Sequence, residues 1–187
     1  DTYVVFDIET TGFGPVKDKI IEIGAVKVKE GKIVDNFSTF INPEIPIPFE
    51  ITNLTGITDA MVSDASTIDV ILPQFLEYCK DCVLVAHNAS FDMNFLSETL
   101  MRLGYDGKIS YVDTLSLSRS LIKGLHNYKQ DTVAMYFDLV NNQSHRAVTD
   151  AETCGKILWN LLQIEEKEEE KSKPCDEEME ICAYIQK

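Results

Sequence analysis

Basic residues are scarce in this chain: 17 Lys and Arg stand against 31 Asp and Glu, for a net charge of −14. That balance excludes a generic basic nucleic-acid binder and makes long-range steering of a polyanion poor. A nuclease stays open, because bound divalent cations reverse the field locally. Long hydrophobic runs are missing as well. No apolar stretch reaches the roughly 18 residues that a transmembrane helix needs, and the N-terminus carries no signal-peptide pattern. Cysteines are few and odd in number, five in all, which does not suit a secreted disulfide framework. A reducing, cytoplasmic setting fits them better. Cys79 and Cys82 form a CxxC, but no second Cys/His pair at metal spacing accompanies it. A helix end running into a buried strand accounts for both thiols. The chain opens on Asp1 with a strand almost at once, so we expect a domain excised from something larger.

What is present reads as one domain with a substantial core, 187 residues of which 44% are apolar. Strands are expected at Tyr3–Ile8, Ile20–Glu30 and Ile33–Ile41, an antiparallel meander with Gly31-Lys32 as a turn signal. Residues 42–58, with Pro43, Pro46 and Pro48, read as a loop holding a short helix. Helical spacing follows over Asp64–Cys79, where Pro73 argues against a long uninterrupted helix. "CVLVAH" (82–87) has the continuous apolar run of a strand buried on both faces. "FDMNFLSETLMRLG" is an amphipathic helix stopped by Gly104. A strand-to-helix passage near Tyr111–Ile122 has Asp113 as its cap, a helix covers about 128–137, and another starts near Ala147. A meander followed by βα units indicates an α/β fold, a mixed sheet flanked by helices. From Glu165 the composition changes to nine acids and four lysines broken by Pro174, a solvated helix end plus linker.

The carboxylates are the chemistry-bearing feature. In "DIETTG" (7–12), Asp7 and Glu9 share one face of a strand. Two such acids repel unless one is protonated or a cation lies between them. Asp92 falls in the first turn of a helix, where an acid also serves as a plain dipole partner. Its place after a strand end allows a site, since α/β sheets gather sites there. Asp150 enters early in the last core helix, with His145 five residues before it. A carboxylate cluster suits a hard cation such as Mg²⁺ or Mn²⁺ rather than zinc. With a histidine beside it, phosphodiester hydrolysis is the natural chemistry.

In this order, "FDIETTG", "HNASFDMNFL" and "HRAVTDA" resemble the three motifs of the DEDDh 3′→5′ exonucleases. Within that family they are most similar to the proofreading exonucleases of bacterial DNA polymerase III, found as an epsilon subunit or inside a Gram-positive-type polymerase chain. "IIEIGAV" and "NLTGITDAMV" extend the likeness over about residues 3–163. The resemblance implies a ribonuclease H-like exonuclease domain over 1–164 and an acidic tail or linker over 165–187. It implies Asp7, Glu9, Asp92 and Asp150 as catalytic acids and ligands of two divalent cations, Mg²⁺ or Mn²⁺, with Asp92 acting mainly through water. His145 becomes the general base; the family's tyrosine branch has Tyr where this chain has Arg146. Thr10, Thr11, Gly12, Leu54, Thr55 and Phe91 become contacts to the terminal nucleotide, although epsilon-like chains often carry His in place of Thr55. The implied reaction releases nucleoside 5′-monophosphates from single-stranded or frayed DNA 3′ ends, in proofreading beside a replicative DNA polymerase and away from membranes. An RNA exonuclease of the same superfamily and a non-catalytic polymerase-docking module are the other two expectations.

Overall fold

The computed structural model describes residues 1–139 and 146–172, so His145 lies outside the described residues. In chain order the elements are β1 (Thr2–Thr10), β2 (Ile20–Lys29), β3 (Lys32–Phe40), α1 (Phe49–Thr55), α2 (Asp59–Val62), α3 (Ile68–Cys79), β4 (Val83–Ala86), α4 (Ser90–Arg102), β5 (Tyr111–Asp113), α5 (Thr114–Leu121), α6 (Gln130–Tyr136) and α7 (Ala147–Ser172). The sheet runs β3-β2-β1-β4-β5. Its first three strands form an antiparallel meander, and β4 and β5 join parallel to β1. This is the expected mixed sheet.

The β2–β3 hairpin closes through Glu30 and Gly31, both at positive φ (50° and 73°), the backbone that matches the twist of flanking strands. Side-chain alternation on β1 then sorts the core into two layers. Val4, Phe6 and Ile8 face α3 and α4, meeting Leu72, Phe75, Met93 and Leu96. Val5 faces the other way with Val26, Val28 and Val85, against Ala151, Cys154 and Leu158 of α7. A third cluster joins Ile122 and Val133 to Ile157 and Leu161, binding α6 to α7. Cys79 and Cys82 pack partly buried against the first layer as free thiols.

Two local expectations shift. The α3 helix continues through Pro73, which sits on its exposed side; the lost backbone bond falls where water replaces it. The β4 strand is shorter than its apolar run, with Val83 and Leu84 partly exposed and only Val85 and Ala86 buried, because β5 beside it is a three-residue edge. The last helix extends to Ser172, past residue 164. Among the described residues no helix is long and apolar enough to cross a membrane.

The seating of α7 depends on Gly24, opposite Asp7 in the β1–β2 ladder. A Cβ there would lie 2.0 Å from Val148 N and 2.2 Å from the Ala147 carbonyl carbon, so any side chain collides with helix backbone. Gly24→Ala is expected to cost about 1–3 kcal/mol. Thermal unfolding should show a Tm several degrees lower. Gly155→Ala is the contrast: its Cβ would meet side-chain methyls rather than backbone, Val28 Cγ2 at 3.1 Å and Val26 and Val5 Cγ2 at 3.7 Å, against up to about 1 kcal/mol of helix propensity gained.

Candidate active site

Three of the four predicted acids reach one point from two elements. Asp7 and Glu9 look from β1 toward α7, and Asp150 comes down from the first turn of α7. One carboxylate oxygen of each lies within 4.8 Å of the other two. Among the described residues this is the one set of three or more potential metal ligands so gathered. Their donors are all oxygen, as a hard divalent cation requires.

Asp92 stands beside this triangle and is tied to it through the backbone. The β4 ladder accompanies β1 only from Tyr3 to Val5. Farther along, the Ile8 N–H donates to Asp92 Oδ1 at 3.2 Å. A buried carboxylate, 4% exposed, thus takes the place that a strand would otherwise fill.

What holds Asp150 over β1 is an ion pair that sequence reasoning missed. Glu22, 1% exposed, is the cross-strand partner of Glu9. Its Oε1 accepts from Arg146 Nη2 at 3.0 Å, and its Oε2 accepts from the Ala147 N–H at 3.3 Å. One carboxylate therefore caps the open N-terminus of α7 and pairs with the residue before it. The available signal was an acid inside the otherwise apolar strand "IIEIGAV". A second missed residue is Gln130, whose Nε2 donates to the Asp150 carbonyl at 3.0 Å.

Burial and mutual repulsion hold protons on the cluster. Burial raises Asp7 well above the carboxylate range, and Asp92, Glu9, Asp150 and Glu22 raise it further. Glu9 is pushed up to about 8 by burial and by Asp150, Glu22 and Asp92, with Arg146 opposing. Burial lifts Asp92 to about 7, against the Ile8 N–H that favours its anion. Such a group of acids becomes fully ionised when a cation replaces the protons.

The predicted substrate contacts divide. Thr10 and Thr11 are buried and their hydroxyls are engaged in the turn. Thr10 Oγ1 donates to the Gly12 carbonyl at 2.6 Å, and Thr11 Oγ1 accepts from the Lys19 N–H at 2.9 Å. Gly12 makes room for Asp18, whose Oδ2 would lie 2.5 Å from a Cβ. Thr55 Oγ1 donates to the Ile51 carbonyl and accepts from the Ile57 N–H. Leu54 is exposed. Phe91 lies between Phe95 and Phe13, with centroids at 5.0 and 6.4 Å. Phe13, missed in the sequence, is 75% exposed just beyond "DIETTG".

Comparison with known proteins identifies the arrangement. A family profile of RNase T type, described as exonuclease, matches residues 4–158. The chain belongs to the exonuclease family. Over 161 residues it is 52% identical to a PolC-type DNA polymerase III of Caldanaerobacter subterraneus subsp. tengcongensis, covering 86% of this chain and 12% of that protein. It is 51% identical over 158 residues to the PolC-type polymerase III of Clostridium perfringens, covering 84% and 11%. The chain thus spans about one-eighth of the length of these relatives. Among solved structures, exonuclease X in complex with 5′ overhanging duplex DNA aligns at 28% identity and TM-score 0.71, over 86% of this chain and 91% of that one. The nuclease domain of 3′hExo, a DEDDh family member bound to rAMP, shares the fold at 20% identity and TM-score 0.77, over 87% and 92%. The likeness carried by the three motifs, and the ribonuclease H-like sheet it implied, are borne out.

Two outcomes follow for this exonuclease fold. In chelator, Tm is expected to fall as pH rises from about 5 to about 8. The unfolded chain gives up carboxylate protons near pH 4, whereas the folded one keeps them until about 7 at Asp92 and 8 at Glu9, so each step upward favours unfolding. Mn²⁺ should reverse the fall, and thermal denaturation across pH with and without the ion checks both. Asp92→Asn keeps an acceptor for Ile8 and should flatten the pH slope. Separately, Arg146→Ala leaves Glu22 buried without its charged partner, at an expected cost of about 1.5–3 kcal/mol by chemical denaturation.

Proposed function

We propose that this chain is a divalent-metal-dependent 3′→5′ exonuclease that removes nucleoside 5′-monophosphates from single-stranded or frayed DNA 3′ ends, as the proofreading activity of a replicative polymerase. The Asp7–Glu9–Asp150 triangle with Asp92 at its side carries the reading. The DNA substrate and the polymerase partner, in the same chain or as a separate subunit, are supported by the identity to PolC-type polymerases. Residues 1–164 form the exonuclease unit and 165–187 an acidic tail or linker, in a cytoplasmic setting.

The donor set fits two divalent cations, Mg²⁺ or Mn²⁺. Asp7, Glu9 and Asp150 would hold one, with Asp7 reaching a second and Asp92 acting through water. Such ions supply Lewis acidity and charge neutralisation at the scissile phosphate. Glu22 and Gln130 keep Asp150 in place. The strand-end turn of Thr10, Thr11 and Gly12 would border the terminal sugar, while Leu54 and Phe91 offer apolar surface to the terminal nucleoside. His145, assigned on its motif, takes the proton of the attacking water.

A 3′-labelled single strand with Mg²⁺ or Mn²⁺ should lose mononucleotides stepwise, faster as DNA than as RNA of the same sequence. An intact strand across a full metal titration overturns the proposal; faster RNA cleavage replaces its substrate. Asp7→Ala is expected to lower the rate by about a thousandfold, the several kcal/mol that a cation contributes. His145→Ala should cost roughly 10²–10⁴-fold and remove a rise in rate with pH through the histidine range.

A further inference from the structure

Beside the acid cluster lies a cleft of about 500 Å³ that the catalytic set leaves unused, a volume within the range of ligand sites. Asn88, Arg119, Asn127, Tyr128, Lys129 and Gln130 line it, and no carboxylate does. In a chain of net charge −14 that lining is unusual. Neither Arg119 nor Lys129 forms a salt bridge among the described residues. Both side chains are exposed at the rim. The nearby acid Asp113 is already engaged, accepting from the N–H groups of Asn88 and Leu115 and from Ser116 Oγ.

The cleft is also built in advance. His87 Nε2 donates to the Tyr128 carbonyl and its Nδ1 pairs with Thr114 Oγ1, both at 2.9 Å. Burial lowers the pKa of this imidazole. The Tyr128 hydroxyl donates to the Ile122 carbonyl at 2.9 Å, and Asn127 Oδ1 accepts from the Lys129 N–H and from Thr132 Oγ1. Asn88 stands at φ 57°, a strained backbone position held by Asp113. Both ends of the lining reach the cluster. Gln130 holds the Asp150 carbonyl, and Asn88 lies four residues before Asp92.

We propose that this cleft binds the sugar–phosphate backbone of the strand 5′ to the scissile bond, with Arg119 and Lys129 meeting consecutive phosphates. It rests on the nuclease reading above and adds a subsite to it. The amides of Asn88, Asn127 and Gln130 donate to phosphate or sugar oxygens, and Leu115 and Tyr128 give apolar contact, a combination that follows a backbone without reading sequence. Cationic side chains placed along this track make up for the poor long-range attraction of an acidic protein.

The test compares R119E/K129E with the wild type on two substrates: an oligothymidylate of eight nucleotides and the p-nitrophenyl ester of thymidine 5′-phosphate, which has no upstream strand. The ratio of kcat/KM for the octamer to that for the ester is expected to fall at least tenfold, carried by KM. The octamer's salt dependence should flatten by roughly 1.4 in log–log slope, two phosphates at about 0.7 each. A ratio within twofold of wild type overturns the proposal, whether both rates fall or neither does. If wild type hydrolyses neither substrate with Mn²⁺, the nuclease reading fails and the subsite with it.

Discussion

Everything at the site hangs on one buried carboxylate. Glu22 binds the Arg146 guanidinium and the Ala147 N–H together, and so fixes where the last long helix begins. Gly24, two residues on along β2, lets that helix press its backbone onto the sheet. Asp150 then falls one turn later, over Asp7 and Glu9. Hydrogen bonds to a desolvated charge are strong and directional, and a mispositioned helix would leave Glu22 buried without partners. The clamp therefore fixes position tightly at a point where sub-ångström placement of ligands matters.

The same cluster is locally unfavourable to the fold. Carboxylates from β1, α4 and α7 converge around Asp7, with Glu22 adding its own field. Arg146 opposes them at Glu9 and is itself bound to Glu22. Folding thus concentrates acidic groups of like charge at one buried point. Active sites commonly hold such tension, and the surrounding core supports it. Here the support is the two-sided burial of β1, with α3 and α4 on one face and α7 on the other.

Much of this was legible in the sequence because its signals are local. Strand alternation placed Asp7 and Glu9 on one face, and the apolar periods and Gly104 located α4. Asp113 was read correctly as a cap, its side chain accepting from the Leu115 N–H. The CxxC, explained by a helix end and a strand, remains two free thiols. Less legible were features that depend on a distant partner. Glu22 and Arg146 are 124 residues apart. The hydroxyls of Thr10, Thr11 and Thr55 look like donors to a ligand in sequence, yet each is engaged by neighbouring backbone. The short β4 follows from its edge neighbour rather than from its own apolar run.

The sequence by itself determined the order of elements and the sidedness of β1, since side-chain period and local turn chemistry travel with the chain. It also determined the family, because three spaced motifs survive any ignorance of contacts. Tertiary structure alone decided how the acids meet. The 4.8 Å triangle, the seat of α7 on Gly24 and the cation-lined cleft beside Asp150 arise from approach between segments far apart in sequence. Distance and burial set their electrostatics, and neither is written in any single stretch of residues.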